Sequence, residues 1–554
     1  MGDKLKEIIE RDMELKTSHV LIILSVIFLI GLILRLYYLP YDLPIIGDGL
    51  AYFSYAYEMS EIGTFPPNWP LANNGWPAIL SIFFSMYNGE TFLENIQTQR
   101  IITVLVSSIT IIPIFFICNR FFNKTFSIIG ASIFIFEPRI ILNSTTGLIE
   151  PIYILILSMI LAFYLKNDKN TIYVAFFLAG VFAILRWEGL LLIFGLIGLY
   201  FIENRHKKHV FRRLSIAIVL FLLVIIPISY VNFENTGKDG LISPLIMYGP
   251  GYVALWIEED ECPQGERMQK DEVGMDCYPI DDFVKPEDSR NIISHLAKNG
   301  IENTLRFFGW AMIPSFIVFF PISIILLVRK KLIKNWDHRK IVILVFGIIL
   351  FLPAGYAFTR DFEDIRYLYT LFPIFSLVSL VFIKRITENS SQQKIILILI
   401  LLGVVISSVI FLEIKLSGND ESEKERYEIS KFLVKNADGV NFSSFTKYFK
   451  AAEIDIKWPY IPPPNIGGHL TLETKKINID DNLTLNDILI QNKDNGLTHI
   501  VTEGITENKI LQEIFHNYER YPFLEKVYDN TSNSMFNKVK IFKINYDILK
   551  DKLG

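Results

Sequence analysis

Apolar runs near the length of a bilayer crossing recur through the first three-quarters of this 554-residue chain, and about 20 apolar residues of helix are needed to cross the hydrocarbon core. That repetition leaves few folds open. The runs fall at 19–39, 97–117, 125–142, 146–165, 171–185, 189–202, 214–231, 307–328, 340–357, 367–383 and 394–412, about eleven in all. The 171–185 and 189–202 runs are short and also fit one broken hairpin. A composition of 51% hydrophobic and 14% aromatic residues excludes an ordinary soluble enzyme. The formal net charge of -4 gives no footing for a nucleic-acid partner. The first run follows a charged segment and lacks a small-residue cleavage site, so it is expected to be an anchor rather than a removed signal peptide.

Lys and Arg resist translocation, so basic loops mark the cytoplasmic side. The loops RHKKHVFRR (205–213), RKKLIKNWDHRK (329–340) and KRITENSSQQK (384–394) share one side with the N-terminal segment 1–18 if eleven crossings hold. The loops 40–96 and 232–306, and everything from 414 to 554, then face the extracytoplasmic side of the plasma membrane. Cys262 and Cys277 lie in the second of those loops, where a disulfide is permitted and two unpaired thiols are equally consistent.

Charge gathers on that outer face. Directly after the first run comes IIGDGLAYFSYAYEMSEIG (45–63), a carboxylate, Asp48, set between two glycines at the head of a segment in which Leu50, Phe53 and Tyr57 recur at helical spacing. Beside them Ser54, Glu58 and Glu61 form a polar stripe, so the piece is expected to lie along the membrane interface. A second short apolar segment, 76–87, is expected to lie flat or re-enter. Further outer turns carry Glu137, Arg139 and Glu150 (EPRIILNSTTGLIEP), then Arg186 and Glu188 (LRWEG), then Arg360, Asp361, Glu363, Asp364 and Arg366 (TRDFEDIRY). Ionisable residues converging on one membrane face mark a functional site.

Beyond residue 413 hydropathy drops, and the pattern predicts helices over 422–435 and 509–518 with strands over 498–502 and 538–544. The fold class expected is therefore a polytopic α-helical membrane protein (19–413) followed by an extracytoplasmic α/β domain (414–554).

Taken in order, GDGLAYFSYA, the proline-rich bend after it, STTGLIEPIYIL, LRWEGLLL and RYLYTLFP resemble the GT-C superfamily of integral membrane glycosyltransferases, in the branch of protein O-mannosyltransferases and lipid A aminoarabinose transferases. The resemblance covers the membrane part and, more loosely, the tail. It implies transfer of a sugar from a dolichyl- or undecaprenyl-phosphate carrier to an extracytoplasmic protein, lipid or glycan acceptor, with membrane lipids as surroundings. It carries the first-loop acidic residue to Asp48. The chain departs from the mannosyltransferase branch in that Asp48 is followed by Gly49 rather than a second acid, and it has neither a WWDYG-like sequence nor a convincing Asp-x-Asp motif. No cofactor is fixed by these residues, and a divalent metal stays an option.

Such a transfer needs a base near the acceptor hydroxyl and cations near the departing phosphate. Asp48 is the candidate base, with Gly47 and Gly49 expected to admit the acceptor; the competing reading is a helix cap. Arg186, Arg366, Arg139 and Arg360 are the candidate phosphate ligands, since a guanidinium fork matches phosphate oxygens, and each also fits an interface anchor. Glu150, Glu188, Tyr52 and Tyr367 are assigned to the substrate or to support of these groups, although Glu150 also suits a helix N-terminus and Glu137 and Arg139 also suit each other. The acidic run 258–261 fits a solvated face or, less well, a metal. Two other classes remain in view: an oligosaccharide ligase or oligosaccharyltransferase-like enzyme, and a multi-span lipid or sugar transporter, which would need polar groups near mid-membrane.

Overall fold

The computed structural model describes residues 15–66, 74–87, 89–166, 168–236, 266–270, 275–279, 305, 308–309, 312–329, 341–350, 365–388, 390, 392–416, 419–436, 440–442, 447–459, 484–493, 496–504, 508–532 and 536–553. Helix occupies part of every apolar run. Among the described residues five helical stretches are long and apolar enough to cross a membrane, Thr17–Tyr37, Phe92–Cys118, Val210–Glu234, Leu368–Thr387 and Gln393–Asn436. A sixth arises if Lys124–Ile135 and Pro138–Ser144, which meet at 54°, form one broken crossing. The described residues are thus mostly helical, with five or six candidate crossings among them. Glu150–Lys166, Lys169–Leu185 and Leu190–Asn204 are apolar but short, at 17, 17 and 15 residues.

Burial separates an inner helix from an outer rim. Thr17–Tyr37 turns Leu21, Ile22 and Ile33 outward, and Gln393–Leu416 does the same with Ile398, Leu399 and Ile406. Water would not tolerate such aliphatic faces over this length, whereas lipid does. Phe92–Ile109, by contrast, buries Asn95, Gln99, Arg100, Thr103, Ser107 and Ser108. It starts where Thr91 and Glu94 close a capping box. Arg35, in the last turn of the first helix, is fully buried against it, donating to Ser107 Oγ at 3.2 Å and the Gly31 carbonyl at 2.9 Å.

The segment after Asp48 is a helix, Asp48–Ile62, whose accessible part is its C-terminal end, with Glu61 exposed and Glu58 half-buried, rather than a face along its whole length. Gly49, Leu50 and the whole stretch from Tyr52 to Tyr57 are buried, Ser54 of the expected polar stripe included. Aromatic density explains this: Phe53 meets Phe84 and Phe92 with ring centroids 5.4 and 5.5 Å apart, and the short Gly75–Met86 helix packs over the rest. Gly75 lets that helix approach closely, since a Cβ there would fall 2.6 Å from the Ile184 carbonyl oxygen.

Among the described residues the first strands, β1 (Glu266–Lys270) and β2 (Met275–Pro279), form an antiparallel hairpin of their own. After residue 416 come β3 (Val440–Phe442), β4 (Leu497–Glu503), β5 (Leu524–Asp529) and β6 (Val539–Ile544), which make a four-stranded sheet in the order β3-β4-β6-β5. In it β3 runs parallel to β4 and the other pairs are antiparallel. The helices Asn419–Asn436 and Lys509–Asn517 and the strands β4 and β6 match the pattern read from the sequence. Strand β5 went unread because only Leu524 of its six residues is buried and no alternation shows. His499 is a core residue of β4, 4% exposed.

This part seats on the membrane part through Trp458. Its indole lies 4.8 Å from the Tyr57 ring, 5.8 Å from Phe92 and 6.2 Å from Phe53, and donates to the Glu90 carbonyl at 3.1 Å. Lys424 adds an exposed ion pair to Asp42 at 2.7 Å. Truncation by Trp458→Ala is expected to cost about 2–3 kcal/mol, less than for a fully buried tryptophan. The measurement is thermal melting in detergent together with limited proteolysis; an unchanged melt and an unchanged cleavage pattern would remove Trp458 from this role.

At the end of β5, burial raises the Asp529 carboxyl, but the Lys526 ammonium at 2.9 Å and the Thr531 hydroxyl and N–H outweigh it and hold the group at about 2. A depressed carboxylate contributes stability that is complete above its ordinary value of about 3.9 and is lost as pH falls through the lowered one. Asp529→Asn should therefore flatten the stability change between about pH 4 and pH 2, read by circular dichroism during acid unfolding; an acid limb identical to that of the parent chain would contradict it.

Candidate functional site

The helix that carries Asp48 begins at that residue. Gly47 precedes it with φ 57° and ψ -138°, a backbone region that favours glycine, and turns the chain sharply into the helix. No side chain caps this start, so the Asp48 carboxylate is not used as a helix cap. Instead Asp48 Oδ2 accepts from Arg366 Nη2 at 3.2 Å, across 318 residues of sequence. Both are accessible, with side chains 50% and 31% exposed, so an incoming group can reach either one.

A second acid-base pair forms nearby. Glu150 opens the helix Glu150–Lys166, and Arg186 stands where Lys169–Leu185 gives way to the 3-10 turn Trp187–Gly189. Arg186 Nη1 lies 3.8 Å from Glu150 Oε1, in surroundings that leave the two side chains 10% and 6% exposed. The guanidinium sits 5.8 Å over the Tyr153 ring, which is stacked on Phe182 at 3.8 Å. Glu150 Oε2 is buried with no hydrogen-bond partner among the described residues.

Backbone joins the two pairs. Gln99 Nε2 donates to the Gly49 carbonyl at 3.0 Å and to the Gly147 carbonyl at 2.7 Å, tying the residue after Asp48 to the turn before Glu150. Trp76 Nε1 donates to the same Gly147 carbonyl at 3.3 Å. Gly49 is filled space rather than a doorway for an acceptor: a Cβ there would collide with Ile45 Cγ2 and lie 3.0 Å from the Thr146 oxygen. Its smallness lets two loops touch. Gly147, at φ 71°, is needed for its backbone as well.

The remaining sequence candidates are placed as follows. Arg139 is buried beside Glu137 at 3.4 Å, donates to the Ile313 carbonyl and lies 5.0 Å over the Phe411 ring; it keeps company with a different set of groups from Asp48. Tyr52 is buried, 8% exposed, in the Asp48–Ile62 helix. Glu188 belongs to the turn Trp187–Gly189 and Tyr367 to the 3-10 helix Ile365–Leu371. Arg360, Cys262 and the acidic run 258–261 lie outside the described residues, while Cys277 is on β2 opposite Met268. Among the described residues no three His, Cys, Asp or Glu side chains gather as a metal site. The residues that sequence reading missed are Gln97, Gln99 and Arg100, which hold the site from beneath. Their signal was present as QTQR, a polar cluster heading an apolar helix.

No model of a known protein family and no curated protein sequence matches the chain. Among solved structures it is similar to ArnT from Cupriavidus metallidurans bound to undecaprenyl phosphate, at a TM-score of 0.50 and 10% identity over 96% of this chain and 98% of that one. The apo state of the same ArnT gives a TM-score of 0.50 over 96% and 99% of the two chains, again at 10% identity. The Archaeoglobus fulgidus oligosaccharyltransferase in complex with Zn and sulfate is similar at a TM-score of 0.48 and 11% identity, over 83% of this chain and 59% of that one. At these identities the likeness is one of fold alone: the chain shares its overall fold with ArnT from Cupriavidus metallidurans.

Proposed function

We propose that the chain is a membrane glycosyltransferase that moves a sugar from a polyprenyl-phosphate carrier to an extracytoplasmic acceptor. The observation that carries the reading is the accessible contact between Asp48 and Arg366 at the start of a buried helix. In the proposed step the acceptor hydroxyl oxygen attacks the anomeric carbon of the sugar, the bond from that carbon to the phosphate oxygen breaks, and its electron pair stays on the phosphate. Asp48 takes the acceptor proton, and Arg366 neutralises charge growing on the leaving group. An exposed ion pair of this kind is worth only about 0–1 kcal/mol, so a phosphate can take Arg366 from Asp48 at little cost. Arg186, braced by Glu150 and Tyr153, is the second phosphate candidate.

ArnT from Cupriavidus metallidurans is bound to undecaprenyl phosphate in one of its structures, which favours a lipid-phosphate carrier as the donor class for this fold. A transporter reading is served less well, because the groups brought together form acid-base pairs at helix starts and turns. An oligosaccharide ligase shares the donor chemistry and differs in the acceptor. The test is purified protein in nanodiscs with radiolabelled polyprenyl-phosphate hexose, with acceptors supplied from the envelope of the native cell. Release of free lipid phosphate with label on an acceptor is expected; movement of intact donor without bond breakage would replace the enzyme by a carrier. Sidedness is read by reporter fusions after Ile202, Val328 and Leu412, and fusions that put the Asp48 loop in the cytoplasm would end the proposal.

A further inference from the structure

We infer that Gln99 is the positioning residue of this site: its one amide nitrogen sets the distance between the Asp48 helix and the Glu150 turn. The inference rests on the glycosyltransferase reading for its kinetic consequences and on geometry alone for its structural ones. Gln99 is fully buried. It spends both amide hydrogens on main-chain acceptors from separate loops, Gly49 and Gly147, 3.0 and 2.7 Å away. Its Oε1 is buried with no partner among the described residues, so the amide is oriented by these two donated bonds. Leaving a buried amide oxygen without a partner is costly. A merely packed position would be filled more stably by an apolar side chain of the same length.

Neighbouring residues extend the same device. Arg100, the next residue, donates to the carbonyls of Pro40, Leu43 and Pro44 at 2.7, 2.5 and 3.1 Å, fixing the connector that leads into Gly47 and Asp48. Gln97 donates to Pro40 and Tyr41. Thr103, one turn on, donates to the Ser144 carbonyl at 2.7 Å, fixing the chain that leads into Gly147. One helix therefore holds both approaches by their backbones, and Gln99 alone among these residues touches both. Because its contacts are to carbonyl oxygens, the side chains of Asp48 and Glu150 are left to the chemistry while their Cα positions are set.

The test uses the full chain in nanodiscs. Gln99→Met keeps length and volume and removes both donors. We expect kcat to fall roughly ten- to a hundred-fold, the loss associated with displacing a reacting group by about 1 Å, with the affinity for polyprenyl phosphate changed less than about two-fold. A structural readout runs beside it: in a chain whose native cysteines are replaced by Ser and which carries Asp48→Cys and Thr146→Cys, two exposed positions on the Asp48 helix and on the turn before Glu150, dibromobimane bridges the two thiols and fluoresces, and adding Gln99→Met should lower the bridging rate several-fold. Trp76→Phe, which removes the other donor to Gly147, is the second variant and should show the same split more weakly if Gln99→Met does not fold. Unchanged kcat, or a bridging rate equal to that of the parent pair, overturns the inference. Equal loss of kcat and of lipid-phosphate affinity also overturns it, since that pattern belongs to general loosening. If the parent chain releases no lipid phosphate, the glycosyltransferase reading fails while the bridging measurement still decides the role of Gln99.

Discussion

Asp48→Asn is expected to abolish sugar transfer, by about 10²- to 10⁴-fold, which is the range for loss of a positioned general base. Asparagine has the same shape and sits as comfortably in the first helical turn, but cannot accept the acceptor proton. The fold should not notice. Asp48 is half exposed, its pairing with Arg366 is a surface contact, and no helix cap is lost because Gly47, not the carboxylate, makes the turn. An exposed pair of this kind accounts for at most about 1 kcal/mol and an acid at a helix N-terminus for about 0.3–1 kcal/mol. Melting in detergent should therefore shift by only a few degrees while lipid-phosphate release stops. Substantial turnover by Asp48→Asn would exclude the base role, whatever the fold.

Arg366→Glu should raise the donor concentration needed for half-maximal rate by roughly 10- to 100-fold, since a charge-assisted hydrogen bond contributes about 1.5–3 kcal/mol and a new carboxylate also repels phosphate. It also places two carboxylates where an ion pair stood at 3.2 Å, so Asp48 would be pushed from its position and kcat should fall as well. Arg366→Ala separates these effects, because it removes the ligand without adding repulsion and should weaken the donor with a smaller loss of kcat. Arg186 supplies the contrast: braced by Glu150 and buried to 10% exposure, its replacement carries a folding cost that Arg366 does not. A donor dependence unchanged by Arg366→Glu would return that residue to the class of interface anchors.

Hydropathy made the helices legible, because the length and apolarity of a crossing are properties of one segment. It read the ends of Thr17–Tyr37 and Gln393–Leu416 closely. It was less decisive at Glu150–Lys166 and Leu190–Asn204, which are helical but short, since a 15- to 17-residue apolar helix suits a buried position as well as a crossing. The Asp48–Ile62 helix follows its pattern only in part: Glu61 is exposed and Glu58 half-buried as the polar stripe predicted, but Ser54 is buried, and the stripe of Phe53 and Tyr57 is covered by Gly75–Met86 and by Trp458 from a distant part of the chain. Periodicity reports what a helix offers, and cannot report what later arrives to cover it.

Residue order on its own establishes a many-helix membrane protein with a small sheet-bearing tail, whose ionisable residues cluster in a few turns beside the apolar runs. Those are local properties, set by hydropathy and by the residue types at each turn. The pairing of Arg139 with its neighbour Glu137 was legible from their spacing, but which distant charges meet emerges only in the packed molecule: Asp48 with Arg366 and Glu150 with Arg186. So does the meaning of Gly49 and Gly147: the Ile45 side chain stands where a Cβ would lie at both, joined by the Thr146 carbonyl at Gly49 and the amide of Gln99 at Gly147. Contacts between loops far apart in sequence depend on the packing of the helices between them, and no window of the sequence contains that information.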